Sequence, residues 1–342
     1  MGWPFSNGDI PVSSNSSAIA ALPTVVALDV RAVIENERRG ASIQVSETYF
    51  RGQELAMEAI EAPSTLSERR NIASRSRQLF DQIRVDFDSL THENLKSASM
   101  QLRELLQQLP EVHYLKRQFP GTCFVIPEWL RIRREVKYGA RIYFLREDDA
   151  PAPIDILDRN INAVVTGSRP EFEQYQGTLH GYPECCIEYF SESERHADTG
   201  PELEAVEPIA DCIDENAISE DEMYSTSIDA VTDGIFETPD VYAFFAREFF
   251  PEVGCDQARR RGLSIYDTLC EEYTEPLVKD YFRINAGWSC LMAEATAPEK
   301  KSSKPPSPGI LGREHLLFFL PLSVTTQFYQ ADQSEDNRVR NR

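Results

Sequence analysis

Thr122-Cys-Phe-Val-Ile126 and Ala140-Arg-Ile-Tyr-Phe-Leu145 decide the fold class. Both are short runs rich in β-branched and aromatic residues, the composition of strands that pack on a pleated surface. Asn162-Ala-Val-Val-Thr166 is a third strand candidate. Helical patterning dominates on the N-terminal side. Val26 to Arg39 and Glu47 to Glu61 read as helices, and Thr65-Leu-Ser-Glu68 has the spacing of a capping box that opens a third. A fourth runs from His92 to Gln108 before Pro110 stops it, with Leu95, Met100, Leu102, Leu105, Leu106 and Leu109 approximating a 3.6-residue period. The expectation is a helix-rich α+β chain: a helical N-terminal layer over residues 23–110, then an α/β core over 111–294 with a small sheet and a helical, thiol-bearing part.

The flanks of that core read differently. Residues 1–22 are rich in Ser, Asn, Pro and Gly and carry too little apolar surface to offset ordering entropy, so a disordered N-terminus is expected. A helix from Pro170 to Leu179 leads into the cysteine-bearing stretch. Residues 191–238 lose apolar periodicity and read as a mobile acidic insertion. Their acidic side chains lack the alternating spacing and central Gly of an EF-hand. Thr238-Pro239 then has the look of an N-cap and first-turn pair opening a helix from Asp240 to Phe250. Beyond Pro251 another helix places Ala258, Gly262, Ile265, Tyr266, Leu269, Cys270 and Tyr273 on one face. Residues 295–309 form a Pro-rich linker, and 310–342 a C-terminal segment whose apolar part, His315 to Tyr329, is suited to docking.

The net charge of −21 is unevenly spread: residues 184–240 hold 18 Asp and Glu against the single base Arg195. Basic side chains are 28 Arg and only 7 Lys, an acidic, lysine-poor composition that suits a halophilic host. Arg131, Arg133, Arg134, Lys137 and Arg141 form a basic patch between the first two strands. It reads as a solvated face pairing with the chain's own acids, or as an anion-binding surface for phosphate or nucleic acid. Few aromatics are placed to stack on bases, which weighs against nucleic acid. The longest apolar run, Leu316 to Val324, is under half a membrane span and contains Pro321, so no membrane helix is expected. Seven cysteines, an odd number without the dense spacing of a secreted framework, and the lack of a signal peptide point to a reducing, cytoplasmic setting.

Reactive side chains concentrate in His180-Gly-Tyr-Pro-Glu-Cys-Cys-Ile-Glu-Tyr-Phe190. Pro183 suits the first position of a helix, which places Cys185 and Cys186 in its first turn. Free backbone N–H groups and the helix dipole favour thiolate there, while Glu184 and Glu188 oppose it. Successive helical residues point about 100° apart, so the two sulfurs are expected to diverge, one toward a site and one into the core. Cys255 repeats the arrangement, a cysteine at a helix start after a turn containing Pro and Gly. Cys123, Cys270 and Cys290 read as core residues.

Gly181-Tyr-Pro-Glu-Cys-Cys186 and the later Phe250-Pro-Glu-Val-Gly-Cys255, with Ala258 and Gly262, resemble the archaeal family called domain of unknown function 483, over residues 140 to 290. That resemblance implies an archaeal, cytoplasmic protein with a thiol-bearing site of unassigned role. Where the family carries two cysteines in the second element, this chain has Cys255 alone.

Three functions remain open. In the first, Cys185, Cys186 and Cys255, with His180, ligate zinc or iron, since thiolates and imidazole suit those ions. In the second, a helix-start thiolate attacks and another cysteine resolves. The third is an interaction module that uses the acidic insertion and the Arg patch without catalysis.

Overall fold

The computed structural model describes residues 16–19, 22, 24–46, 83–107, 110–192, 200–212, 232, 234–247 and 249–296. The fold is α+β and helix-rich, with a small antiparallel sheet. The sheet has the order β1-β3-β2, formed by β1 (Gly40–Ser46), β2 (Cys123–Ile132) and β3 (Glu135–Leu145). β3 is central. From Tyr138 to Leu145 every position but Gly139 is a buried side chain, and Gly139 is itself buried, which is why its sequence reads as a near-continuous apolar run rather than an alternation. β2 lies at an edge and so tolerates Pro127, whose missing N–H costs no ladder bond on the solvent side. Arg141 interrupts the apolar run of β3. Its Nε donates to both Glu128 oxygens, at 3.0 and 3.1 Å, and its Nη1 to Ser42 Oγ at 3.1 Å, so one buried ion pair ties all three strands.

β1 corrects the expectation of an all-helical N-terminal layer. The helix α2 (Thr24–Ile34) stops five residues short of Arg39, and the chain turns through Asn36, at φ 65°, into Gly40-Ala-Ser-Ile-Gln-Val-Ser46. β1 pairs with β3 from Gly40 opposite Leu145 to Ser46 opposite Gly139, so the sheet crosses the expected boundary at residue 110. A Cβ at Gly40 would overlap Leu145, so glycine is what lets the strand enter here. The N-terminal reading is corrected in part as well. The short helix α1 (Ser16–Ile19) and Leu22 bury Ala18, Ile19 and Leu22 in the core. The expected helices over 47–61 and from 65 onward, and residues 1–15, lie outside the described residues.

Helices cover the sheet. α3 (His92–Gln107) buries Leu95, Ala98, Ser99, Leu102 and Leu106, while Met100 is exposed and not on the buried face. α3 ends ahead of Pro110 as expected, and Pro110 itself begins α4 (Pro110–Gln118), which extends the helical part past residue 110. α5 (Pro153–Thr166) absorbs the third strand candidate, because Pro153 opens a helix in which Ile156, Leu157, Asn160, Ile161 and Val164 share a buried stripe and Val164 and Thr166 are its last turn. Trp129 fastens these layers. Its backbone N–H and C=O pair with the Asn160 side chain, and its indole N–H donates to Ser99 Oγ at 2.8 Å.

A second core lies on the other side of α2. Val26, Ala27 and Val30 of α2 face the sheet's core, and Val25, Leu28 and Ala32 face the second. α6 (Arg169–His180) packs Phe172 and Leu179 into the sheet's core, and the second core is built from α7 (Glu184–Ser191), α8 (Pro201–Ala210), α9 (Asp256–Cys270) and α10 (Glu275–Thr296) with the irregular chain before α9. α8 overturns the reading of residues 191–238 as wholly mobile: Ala205, Val206 and Ile209 are buried and pack against α10. Acidic side chains dominate the sequence there, yet three small or branched residues at helical spacing suffice to dock it. The expected helix from Asp240 to Phe250 is also corrected. Pro239–Ala243 is a single 3₁₀ turn, capped by Thr238 Oγ1 accepting from Asp240 N, and irregular chain carries Phe244, Phe245 and Phe249 into the core. α9 packs so closely on this turn that a Cβ at Gly262 would overlap the Tyr242 carbonyl. α10 runs through Thr296, slightly into the expected linker; the segment beyond lies outside the described residues.

A candidate metal centre of three cysteines

Two helix starts converge to make the site. α6 ends at His180 and is capped by Gly181, at φ 73°, where the Gly181 N–H bonds Thr178 O and the Tyr182 N–H bonds Gly177 O. Left-handed backbone there reverses the chain within one turn. Pro183 is then the N-cap of α7, not its first residue, and its carbonyl accepts from Cys186 N and Ile187 N. Gly177 leaves room for Ile187 where α6 and α7 meet. On the other side, Cys255 is the N-cap of α9, preceded by Gly254 at φ 69°. Stacked rings hold the two together: Tyr182 on Phe249 at 4.3 Å and Phe190 on Phe250 at 5.9 Å between centroids.

Cys185, Cys186 and Cys255 meet at this junction. Cys185 Sγ lies 3.2 Å from Cys255 Sγ and 4.0 Å from Cys186 Sγ, and all three sulfurs fall within 4.8 Å of one another. The expected divergence of Cys185 and Cys186 therefore does not occur. Their Cα–Cβ directions differ around the helix, but in the first turn both side chains can swing toward the helix start, where Cys255 faces them. Cys186 and Cys255 are buried and Cys185 is half-buried, so one side of the trio opens toward solvent at Cys185.

Backbone donors point at the sulfurs. Glu252 N–H donates to Cys186 Sγ at 3.4 Å, and Ala258 N–H, in the first turn of α9, donates to Cys255 Sγ at 3.5 Å. Sequence reading did not find these donors, although Glu252 and Ala258 each lie three residues from Cys255, the offset of a tight turn and of an N-cap bond. The positive ends of α7 and α9 add to them.

The donors do not make the thiols acidic. Burial, then the neighbouring Cys255 thiol, pushes Cys185 up to about 11. Cys186 is raised further, first by burial, with the Glu252 N–H working in the opposite direction. The expected depression of a helix-start cysteine is thus overturned, because desolvation and adjacent sulfurs outweigh the dipole. A divalent cation held among the three sulfurs would oppose that effect by favouring the thiolates.

The other predicted site residues go elsewhere. His180 does not join the sulfur group. It is buried against the Tyr143 and Tyr182 rings and lines a cavity with Asp29, Arg38 and Arg247. The basic patch occupies the β2–β3 hairpin, where most of its charges engage the chain itself. Arg131 donates to Val164 O and Val165 O at the end of α5 and lies over the Phe87 ring. Arg134 bonds Asp88 at 2.7 Å, Lys137 reaches Glu135 at 3.4 Å, and Arg141 is the buried partner of Glu128. Arg133 is exposed at the turn, at φ 57°. Cys123 and Cys290 are buried as expected, and Cys270 is half-buried.

All seven cysteines are free thiols. Among the described residues no helix is long and apolar enough to cross a membrane. Comparison with protein-family models, curated proteins and solved structures gives no match.

Proposed function

We propose that Cys185, Cys186 and Cys255 hold a single zinc or iron ion, with a fourth position on the open side beside Cys185. One observation carries this reading. An ion with four tetrahedral thiolate bonds of about 2.3 Å sets its sulfurs about 3.8 Å apart, and the separations of Cys185 Sγ from Cys255 Sγ, 3.2 Å, and from Cys186 Sγ, 4.0 Å, bracket that value, with all three sulfurs within 4.8 Å of one another. The surroundings support it. Three thiolates on a divalent ion leave a net negative charge, and the N–H groups of Glu252 and Ala258, which donate to Cys186 Sγ and Cys255 Sγ, disperse it. A centre with three protein ligands and one open position is the arrangement in which zinc activates water or polarises a carbonyl. The Gly-Tyr-Pro-x-Cys-Cys run that resembles the archaeal family of unknown function supplies two of the three ligands. Free thiols suit the reducing, cytoplasmic setting that belongs to this proposal.

The 3.2 Å approach of Cys185 and Cys255 favours a second reading, a redox pair closing to a disulfide. The metal reading is preferred because a disulfide uses two sulfurs and this junction gathers three. Thiols pushed up by burial are also poor nucleophiles at neutral pH. Cobalt separates the two. Titrating the reduced, metal-free chain with Co(II) under anaerobic conditions should produce a thiolate-to-cobalt charge-transfer band that saturates near one equivalent. Absence of that band sinks the proposal.

A further inference from the structure

A cavity of ≈ 20 Å³ lies between the sheet and the second core, lined by Asp29, Arg38, Ser42, His180, Arg247 and Trp288 among others. We propose that it is a binding site for a small monocarboxylate, whose carboxylate group sits between Arg247 and Arg38. The inference is independent of the metal reading.

Charge comes first. Arg38 is neutralised, since its Nη1 bonds Asp29 Oδ1 at 2.5 Å in a buried pair. Asp29 is committed further, accepting from the Tyr281 hydroxyl at 2.7 Å. Arg247 is only 7% exposed, and no carboxylate among the described residues pairs with it. A guanidinium held out of water without a counter-charge is strongly disfavoured. Among the described residues the cavity wall therefore carries one uncompensated guanidinium, which calls for a monovalent anion.

Hydrogen bonding narrows the ligand. Arg247 Nη1 and Arg38 Nε are both buried N–H donors with no acceptor. An acceptor with two oxygens can take one from each, as carboxylates do with guanidinium groups. Size sets the limit. A cavity needs about 10–15 Å³ on the same measure to hold one water, so ≈ 20 Å³ admits a group of a few atoms and excludes a phosphorylated metabolite.

The test uses the full chain with formate and acetate as probes, against chloride at matched ionic strength. Formate or acetate should raise the thermal midpoint along a saturating curve, as a ligand that binds only the folded state does. Trp288 lines the cavity, so its fluorescence should change with the same midpoint concentration. Arg247→Met should weaken the apparent affinity about tenfold or more, the loss expected for one charged hydrogen bond. Should that variant fail to fold, Trp288→Phe serves instead: it should abolish the fluorescence change and keep the thermal shift. The inference is overturned by a carboxylate response that does not saturate, by an equal response to chloride, by an undiminished response in Arg247→Met, or by a fluorescence change that survives in Trp288→Phe.

Discussion

Replacing Asp29 by alanine should destabilise the protein by about 3–5 kcal/mol, the cost of leaving a buried charge without its partner. Asp29 sits on α2, the helix shared by both cores, and is buried. Its Oδ1 accepts from Arg38 Nη1 at 2.5 Å and from the Tyr281 hydroxyl at 2.7 Å, and Tyr281 in turn lies 2.8 Å from Phe245 O. One carboxylate thus links α2, the turn before β1, α10 and the irregular segment before Pro251. Tyr281→Phe removes only the hydroxyl and should cost about 1.5–3 kcal/mol, the range for a hydrogen bond to a charged group. Because both changes act on one network, the double variant should fall short of the sum by at least about 0.5 kcal/mol. Urea unfolding followed by circular dichroism gives the three values. A cost below about 1 kcal/mol for Asp29→Ala, or strict additivity with Tyr281→Phe, would refute the view that this network joins the two cores.

Zinc affinity should climb with pH. Cys185 and Cys186, both raised by burial, are protonated at neutral pH and must each release a proton on binding, so these two alone should make affinity rise at least about a hundredfold per pH unit between pH 6 and 8. A chromophoric chelator in competition measures this, and a pH-independent affinity would contradict it. The metal-free chain should behave in the opposite sense. Thiols whose folded pKa lies above the unfolded value stabilise fully below about pH 8.5, and that contribution is lost as pH rises toward the Cys185 value of about 11. Ile209→Ala in α8 should cost about 3 kcal/mol, the usual price of a buried Ile truncation, because Ile209 is fully buried in the second core. A loss under about 0.5 kcal/mol in urea unfolding would restore the acidic segment to the status of an undocked excursion.

Some of this architecture can be read from the chain and some cannot, for physical reasons. The period of α3 and the β-branched runs of β2 and β3 are local signals, and each became the expected element. β1 was hidden because Gly40 to Ser46 alternates small and polar residues with only Ile43 and Val45 as large apolar groups; pairing with β3 is what makes it a strand. Asn162 to Thr166 misled in the other direction, since β-branched residues at the end of a helix look like a strand until Ile156, Leu157 and Ile161 are placed on the same face. At the site, the matching helix-start contexts of Cys185 and Cys255 were sufficient to bring them together. The exclusion of His180 depends on the left-handed turn at Gly181, which sends α6 and α7 in different directions. Arg247 gave no local signal at all; its significance comes from burial in the cavity wall without a carboxylate partner among the described residues.

The most direct test of the metal centre is the zinc and iron content of chain purified without a metal-affinity step, together with a count of titratable thiols, for wild type and Cys255→Ser. The account predicts about one ion per wild-type chain. It predicts loss of that ion in Cys255→Ser, with Cys185 and Cys186 becoming reactive to thiol reagents. Wild type that binds neither metal even after reconstitution, or a variant that keeps its ion, would contradict it.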